Sequence, residues 1–209
     1  MNRLIFYTYL FFFSSFATAN PAMIDTFIGG TLDTWEQKSF AGYTDYKITD
    51  LGLQATSESS ASSLYKEVHI DLEKTPILNW SWRIDKKLDV ADETIKQGDD
   101  FSARIYVIVK GKWGFWQTKS LIYVWSSHMT KFQFCESPYA GSSVVEIALR
   151  TQSDQLKHWY TEKRNVLEDI RHHFGNDIRT IDAVAIMTDT DNTKGSALSY
   201  YKNLYFSGN

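Results

Sequence analysis

Two short polar segments hold the densest chemistry in this chain. Asp189-Thr190-Asp191-Asn192-Thr193 closes the apolar run 183–187, and Gly98-Asp99-Asp100-Phe101 precedes Arg104 and Tyr106. Carboxylates and an amide oxygen at this spacing suit a hard cation such as calcium, with Asp189 and Asp191 as ligands. The EF-hand pattern fails, because Lys194 stands where its glycine belongs and Tyr200 where its bidentate glutamate belongs. Asp and Asn also build tight strand-exit turns through side-chain-to-backbone bonds, and that reading stands beside the metal. Arg104 shares a strand face with Asp100. An arginine in mid-strand needs a partner, either a carboxylate on a neighbouring strand or a ligand oxygen gripped by its planar fork.

Aromatic residues are the third feature. Trp80, Trp82, Trp113, Trp116, Tyr123, Trp125 and Trp159 offer rings of the kind that bind sugar faces, with Asp, Asn and Arg taking the hydroxyls. Trp80 and Trp82 share a face with Ile84 and are expected in the core. Tyr123 and Trp125 end a strand beside a long loop and are the expected platforms. Trp113 and Trp116 flank Gly114 as in a hairpin tip.

Common catalytic signatures are missing. The chain has no Gly-x-Ser-x-Gly elbow, no His-Glu-x-x-His, no P-loop and no Gly-x-Gly-x-x-Gly after a strand. Of the five histidines only His172 and His173 are close in sequence, and adjacent helical positions do not converge on one ligand. Cys135 is the only cysteine, which excludes an internal disulfide and reads as a small semi-buried side chain.

These residues need a scaffold, and the pattern is that of strands. Residues 61–68, 77–84, 100–109, 118–125, 144–149, 181–188 and 199–206 are rich in β-branched and aromatic residues and are separated by Gly, Ser, Asn and Asp. Weaker runs lie at 24–27, 35–40 and 51–56. Period-2 alternation places Phe101, Ala103, Ile105 and Val107 on one face, and Asp100, Ser102, Arg104 and Tyr106 on the other. One helix is predicted over 166–174, with Asn165 as N-cap, Glu168 three residues on, and Gly175 beyond its end. Many strands with one short helix predict a mainly β fold, a two-layer β-sandwich of the jelly-roll, galactose-binding-like kind. Residues 86–98 and 126–143 are loops long enough to carry function.

Arg3, the apolar run 4–16 and Ala17-Thr18-Ala19 have the form of a signal peptide cleaved after Ala19. The run is shorter than the roughly 20 residues a membrane span needs. A single domain over 20–209 and a periplasmic or secreted location are expected, with no membrane span after cleavage. Without Arg3, 21 basic residues face 25 acidic ones, a formal charge of −4. A mildly acidic chain with scattered cations is a poor partner for nucleic acid.

Gly98-Asp99-Asp100-Phe101 with Arg104-Ile105-Tyr106-Val107, Tyr123-Val124-Trp125, Arg164-Asn165-Val166, Phe174-Gly175 and Ile186-Met187-Thr188-Asp189-Thr190-Asp191-Asn192-Thr193 together resemble a bacterial exported family, domain of unknown function 3047. The resemblance runs from about Trp80 to Phe206. It implies an exported β-sandwich similar in layout to carbohydrate-binding jelly rolls, with no established activity. The leading expectation is a binder of a glycan or other polyhydroxylated ligand. Asp99, Asp100, Arg104, Asp189, Asp191 and Asn192 would be its polar contacts, with Tyr123 and Trp125 as platforms. No cofactor is implied beyond the calcium alternative. An envelope-polymer hydrolase or lyase using an Asp pair, and a structural or partner-binding envelope protein, are the other readings.

Overall fold

The computed structural model describes residues 20–111 and 114–208. The expected leader at 1–19, and Trp113, lie outside the described residues. Two sheets face each other. The six-stranded sheet runs β11 (Tyr160–Asn165), β6 (Ile77–Lys86), β13 (Ser196–Ser207), β4 (Gly52–Glu58), β3 (Asp45–Thr49), with β1 (Ala22–Asp25) also pairing β13. The seven-stranded sheet runs β2 (Glu36–Ala41), β5 (Ala61–Asp71), β12 (Thr180–Met187), β7 (Ala103–Val109), β8 (Lys119–Trp125), β10 (Gly141–Arg150), β9 (Phe134–Ser137). The chain changes sheet at most of its connections, which is the jelly-roll layout predicted from the strand pattern. Among the described residues, only β8 and β10 pair in parallel. The long connection between them is what a parallel pair requires, and it contains β9.

The core lies between the sheets and is strongly aromatic. Trp80 stacks on Tyr123 with ring centroids 5.3 Å apart, and Trp82 meets Trp125 at 5.8 Å. Trp80 and Trp82 are therefore core residues, as their shared face with Ile84 implies. The helix α1 (Val166–Phe174) spans the predicted residues. The Glu168 N–H donates to Asn165 Oδ1 at 3.2 Å, while Val166, Leu167 and Ile170 join the core. It packs against β6 and β8, one strand from each sheet.

Two expectations about side-chain direction fail. Tyr123 and Trp125 point into the core, 0% and 3% exposed, and offer no platform to a ligand. Their polar tips are consumed internally. The Tyr123 hydroxyl donates to Asp169 Oδ2 at 2.7 Å, and Trp125 Nε1 donates to the Thr151 carbonyl at 3.0 Å. Phe101 does not share the face of Ile105 either, because β7 begins only at Ala103. It lies on the other side of the sheet with Ile122, Val124, Met129 and Ala148, beneath the ring-stacked guanidinium of Arg104.

Among the described residues, no helix is long and apolar enough to cross a membrane.

Candidate functional site

The outer face of the seven-stranded sheet carries an open groove. Strand alternation buries Ile105 and Val107 of β7 and turns Arg104, Tyr106 and Ile108 outward. The same parity presents Lys38 and Phe40 from β2, Ser63 and Tyr65 from β5, Ala185 and Met187 from β12, and Val144 and Glu146 from β10. Two cavities of about 730 and 490 Å³ meet over Phe40 and Tyr106. The larger is mostly apolar, with Lys38 and Lys110 at its margin. The smaller is acidic and lies where the two polar segments come together.

Arg104 organises that acidic end. It stands opposite Met187 in the β7–β12 ladder, two residues before Asp189. Its Nε donates to Asp189 Oδ1 at 2.9 Å and Nη2 to Asp189 Oδ2 at 2.5 Å, a bidentate pair. Nη2 also donates to the Asp99 carbonyl at 2.7 Å. Nη1 reaches Glu146 Oε1 at 3.2 Å and the Tyr106 hydroxyl at 3.5 Å. All five N–H groups of the guanidinium are thus committed to the chain's own acceptors. Arg104 is 4% exposed and has no donor left for a ligand, so its expected role as a ligand contact is replaced by a structural one.

Asp189 is likewise spent. Both its oxygens face Arg104, and the Phe101 N–H adds a third bond at 3.3 Å. Asp100 turns away from the groove. Its Oδ1 accepts from the Asn192 N–H at 3.1 Å, and its Oδ2 from the Thr193 N–H and hydroxyl at 2.6 Å each. Here the strand-exit turn is realised, with a carboxylate from the other polar segment as its anchor. Asn192 clamps loops: its Nδ2 donates to the Lys96 carbonyl at 2.5 Å and to the Tyr139 hydroxyl at 2.7 Å. Glu93, fully buried, ties the same two loops together by accepting from Ser126 Oγ and from the Ser127 and His128 N–H groups.

One oxygen each from Asp100, Asp189 and Asp191 lie within 4.8 Å of one another. Calcium takes six to eight oxygens. Binding it through Asp189 and Asp191, as the sequence suggests, would draw Asp189 away from its arginine. The donor set suits the guanidinium and the turn better than an ion.

The charge balance is uneven. Asp99, Glu146, Asp189 and Asp191 line the acidic cavity against the single guanidinium. Burial raises the Asp99 and Asp189 carboxyls, against the opposing pull of Arg104, and neighbouring carboxylates add to the rise. Burial likewise pushes Glu146 up to about 7. Burial opposes charge on Arg104, but Asp189, Tyr106, Asp99 and Glu146 outweigh it and hold the guanidinium protonated. The Cys135 thiol, 3.6 Å from Glu146 Oε2, is pushed up to about 12 by burial and by that carboxylate, which disfavours the thiolate.

Sequence reasoning singled out Asp99, Asp191 and Asn192, which the structure places together in the acidic cavity, without showing that the two segments meet. It missed Glu146, Tyr139, Tyr65 and Phe40. For Glu146 there was a signal: it is the one charge within the apolar run 144–149.

The family described as protein of unknown function (DUF3047) matches residues 33–205. The chain belongs to this family. The DUF3047 match reaches further toward the N-terminus than the motifs quoted above. No curated protein matches the chain. Among solved structures, the chain is similar to a family 11 carbohydrate-binding module from Clostridium thermocellum in complex with a β-1,3-1,4-mixed-linked tetrasaccharide. The identity is 12%, over 92% of this chain and 98% of that one, with a TM-score of 0.47. It is also similar to the xyloglucanase domain of NopAA from Sinorhizobium fredii, at 10% identity over 83% and 92% of the two chains, TM-score 0.47. A family 30 carbohydrate-binding module from Clostridium thermocellum follows at 8% identity over 92% and 95%, TM-score 0.42. At these identities the likeness is one of fold.

Proposed function

We propose that this protein is an exported glycan-binding module whose binding surface is the groove on the outer face of the seven-stranded sheet. The observation that carries this reading is the lining of the groove. Phe40, Tyr106 and Tyr139 supply rings along it, and Asp99, Asp191, Asn192 and Glu146 supply polar groups at one end. Rings that contact the apolar faces of sugars, with a few placed acceptors for hydroxyls, are what such a ligand needs. Phe40 is 70% exposed at the junction of the two cavities, where a hydrophobic side chain gains little from the fold and much from a ligand. Export rests on the leader-like residues 1–19, and the periplasm or the medium is the proposed location.

The test is retention of the mature chain in native gels containing soluble β-glucans, xylan, a uronic-acid polymer or chitosan. The reading expects retardation by at least one polymer. Phe40→Ala should lose about ten-fold in affinity, about 1.4 kcal/mol, with an unchanged melting temperature. Equal migration in every gel contradicts it.

A second reading, cleavage of an envelope polymer by a hydrolase or lyase reaction, is favoured by one observation. Glu146 lines the groove with a carboxyl held near 7, the poise of a general acid at neutral pH. Turnover of a retained polymer that disappears in Glu146→Gln would promote it.

A further inference from the structure

We infer that the acidic end of the groove is a subsite for a protonated amine, so that the glycan it takes is an amino sugar with free, unacetylated nitrogen. This rests on the glycan-binding reading of the groove and narrows it to a ligand class.

The argument is a count of donors. Three carboxylates, Asp99, Glu146 and Asp189, surround Arg104, and its five N–H groups are already placed. Both hydrogens of Nη2 go elsewhere, one to Asp189 Oδ2 and one to the Asp99 carbonyl. Asp99 Oδ1 therefore sits 3.0 Å from Nη2 without a hydrogen directed at it, buried and with no hydrogen-bond partner. Asp99 is 6% exposed and lines the cavity. A buried carboxylate oxygen with no donor is costly, and it is retained here beside an opening through which a donor can arrive. Glu146 Oε2 is little better served, with only the Cys135 thiol at 3.6 Å.

The missing donor should also be a cation. Asp191 adds a fourth carboxylate to the cavity, and Asp100 and Glu93 lie behind it. Lys96 and Lys194 are exposed, Lys96 above the ring of Tyr139. Neutral hydroxyls would satisfy the vacant acceptors but would do nothing to hold these carboxyls ionised against their burial. An ammonium group brings three N–H donors and one positive charge in a compact head. A metal ion would bring charge, yet it competes with Arg104 for Asp189. The ring-lined cavity beside Tyr106 gives room for the sugar that carries the amine.

Titration calorimetry of the mature chain at about pH 7 tests this with three tetramers: β-1,4-linked glucosamine, its N-acetylated form and cellotetraose. The glucosamine tetramer should bind at least about ten-fold tighter than either neutral one. Asp99→Asn and Asp191→Asn should each cut that preference to about three-fold or less. Asp191→Asn should leave the melting temperature unchanged, since it removes a charge from a crowded acidic site, whereas Asp99→Asn also takes a buried ion-pair partner from Arg104 and is expected to lower it. Neutral tetramers binding as well as glucosamine would overturn the amine subsite and leave the glycan groove standing. Glucosamine failing to bind while another polymer retards the protein would do the same. Calcium chloride that displaces glucosamine, and stabilises the wild type but not Asp191→Asn, would overturn it in favour of a metal site.

Discussion

Arg104 and Asp189 form a bidentate pair across the β7–β12 ladder, at 2.9 and 2.5 Å, with both side chains almost wholly buried. Asp99, Glu146 and Tyr106 all reach the same guanidinium. Arg104→Met would leave Asp99, Glu146 and Asp189 buried together with no cation among them. Removing one partner of a buried pair costs about 3–5 kcal/mol. In a domain of this size that is a fall of about 6–20 °C in melting temperature. Scanning calorimetry checks it, and a loss of under about 3 °C would show that the cluster sheds its charge by another route.

Protonation is such a route, and Glu146 gives it a direction. Its folded-state carboxyl is pushed up to about 7 by burial, from an ordinary 4.5. The folded protein therefore holds this proton more tightly than the unfolded chain. That contribution is fully present below the ordinary carboxylate value and is lost as pH rises through about 7, a loss of a few kcal/mol. Glu146→Gln cannot ionise there. Between about pH 5 and 8 its melting temperature should fall less than that of the wild type, and near pH 8 it should melt higher. Parallel pH profiles would contradict the assignment.

Trp125→Ala is expected to act on the fold and not on a ligand contact. The ring lies between Trp82 and Tyr160 in the sandwich, so its removal should cost about 3–5 kcal/mol. Thermal melts measure this directly. A fully stable Trp125→Ala that loses glycan binding would restore the ring as an exposed platform.

The seven strongest strands and the helix were legible because each has a buried face, and burial writes periodicity into sequence. Three strands were not: Asp45–Thr49, Phe134–Ser137 and Tyr160–Asn165. All three are sheet edges. Edge strands are short and carry charges that discourage further pairing, as in Tyr-Thr-Glu-Lys-Arg-Asn, so the alternation is blurred. Tyr123 and Trp125 failed for another reason. Residues 121–125 are apolar on both faces, since Phe101 and Met129 cover Ile122 and Val124 from outside. Parity alone therefore gave no sign of which face turned inward. At the site, composition marked the two Asp segments, but their meeting depends on β7 pairing with β12 across about eighty residues of chain, which no local pattern encodes.

Export is checked by mass spectrometry of protein recovered from the periplasm or medium. The leader reading expects a mature N-terminus at Asn20. An intact Met1 in the membrane fraction contradicts it.

The central claim is that the outer face of the seven-stranded sheet binds a glycan. The most direct measurement is a two-dimensional amide NMR titration of the mature chain with a soluble oligomer of whichever polymer retards it most. The account predicts shifts gathered on β2, β5, β7 and β12 around Phe40, Tyr65, Tyr106 and Met187, and on the 189–192 turn, with the six-stranded sheet unmoved. Shifts centred on the six-stranded sheet, or none at saturating oligomer, would contradict it.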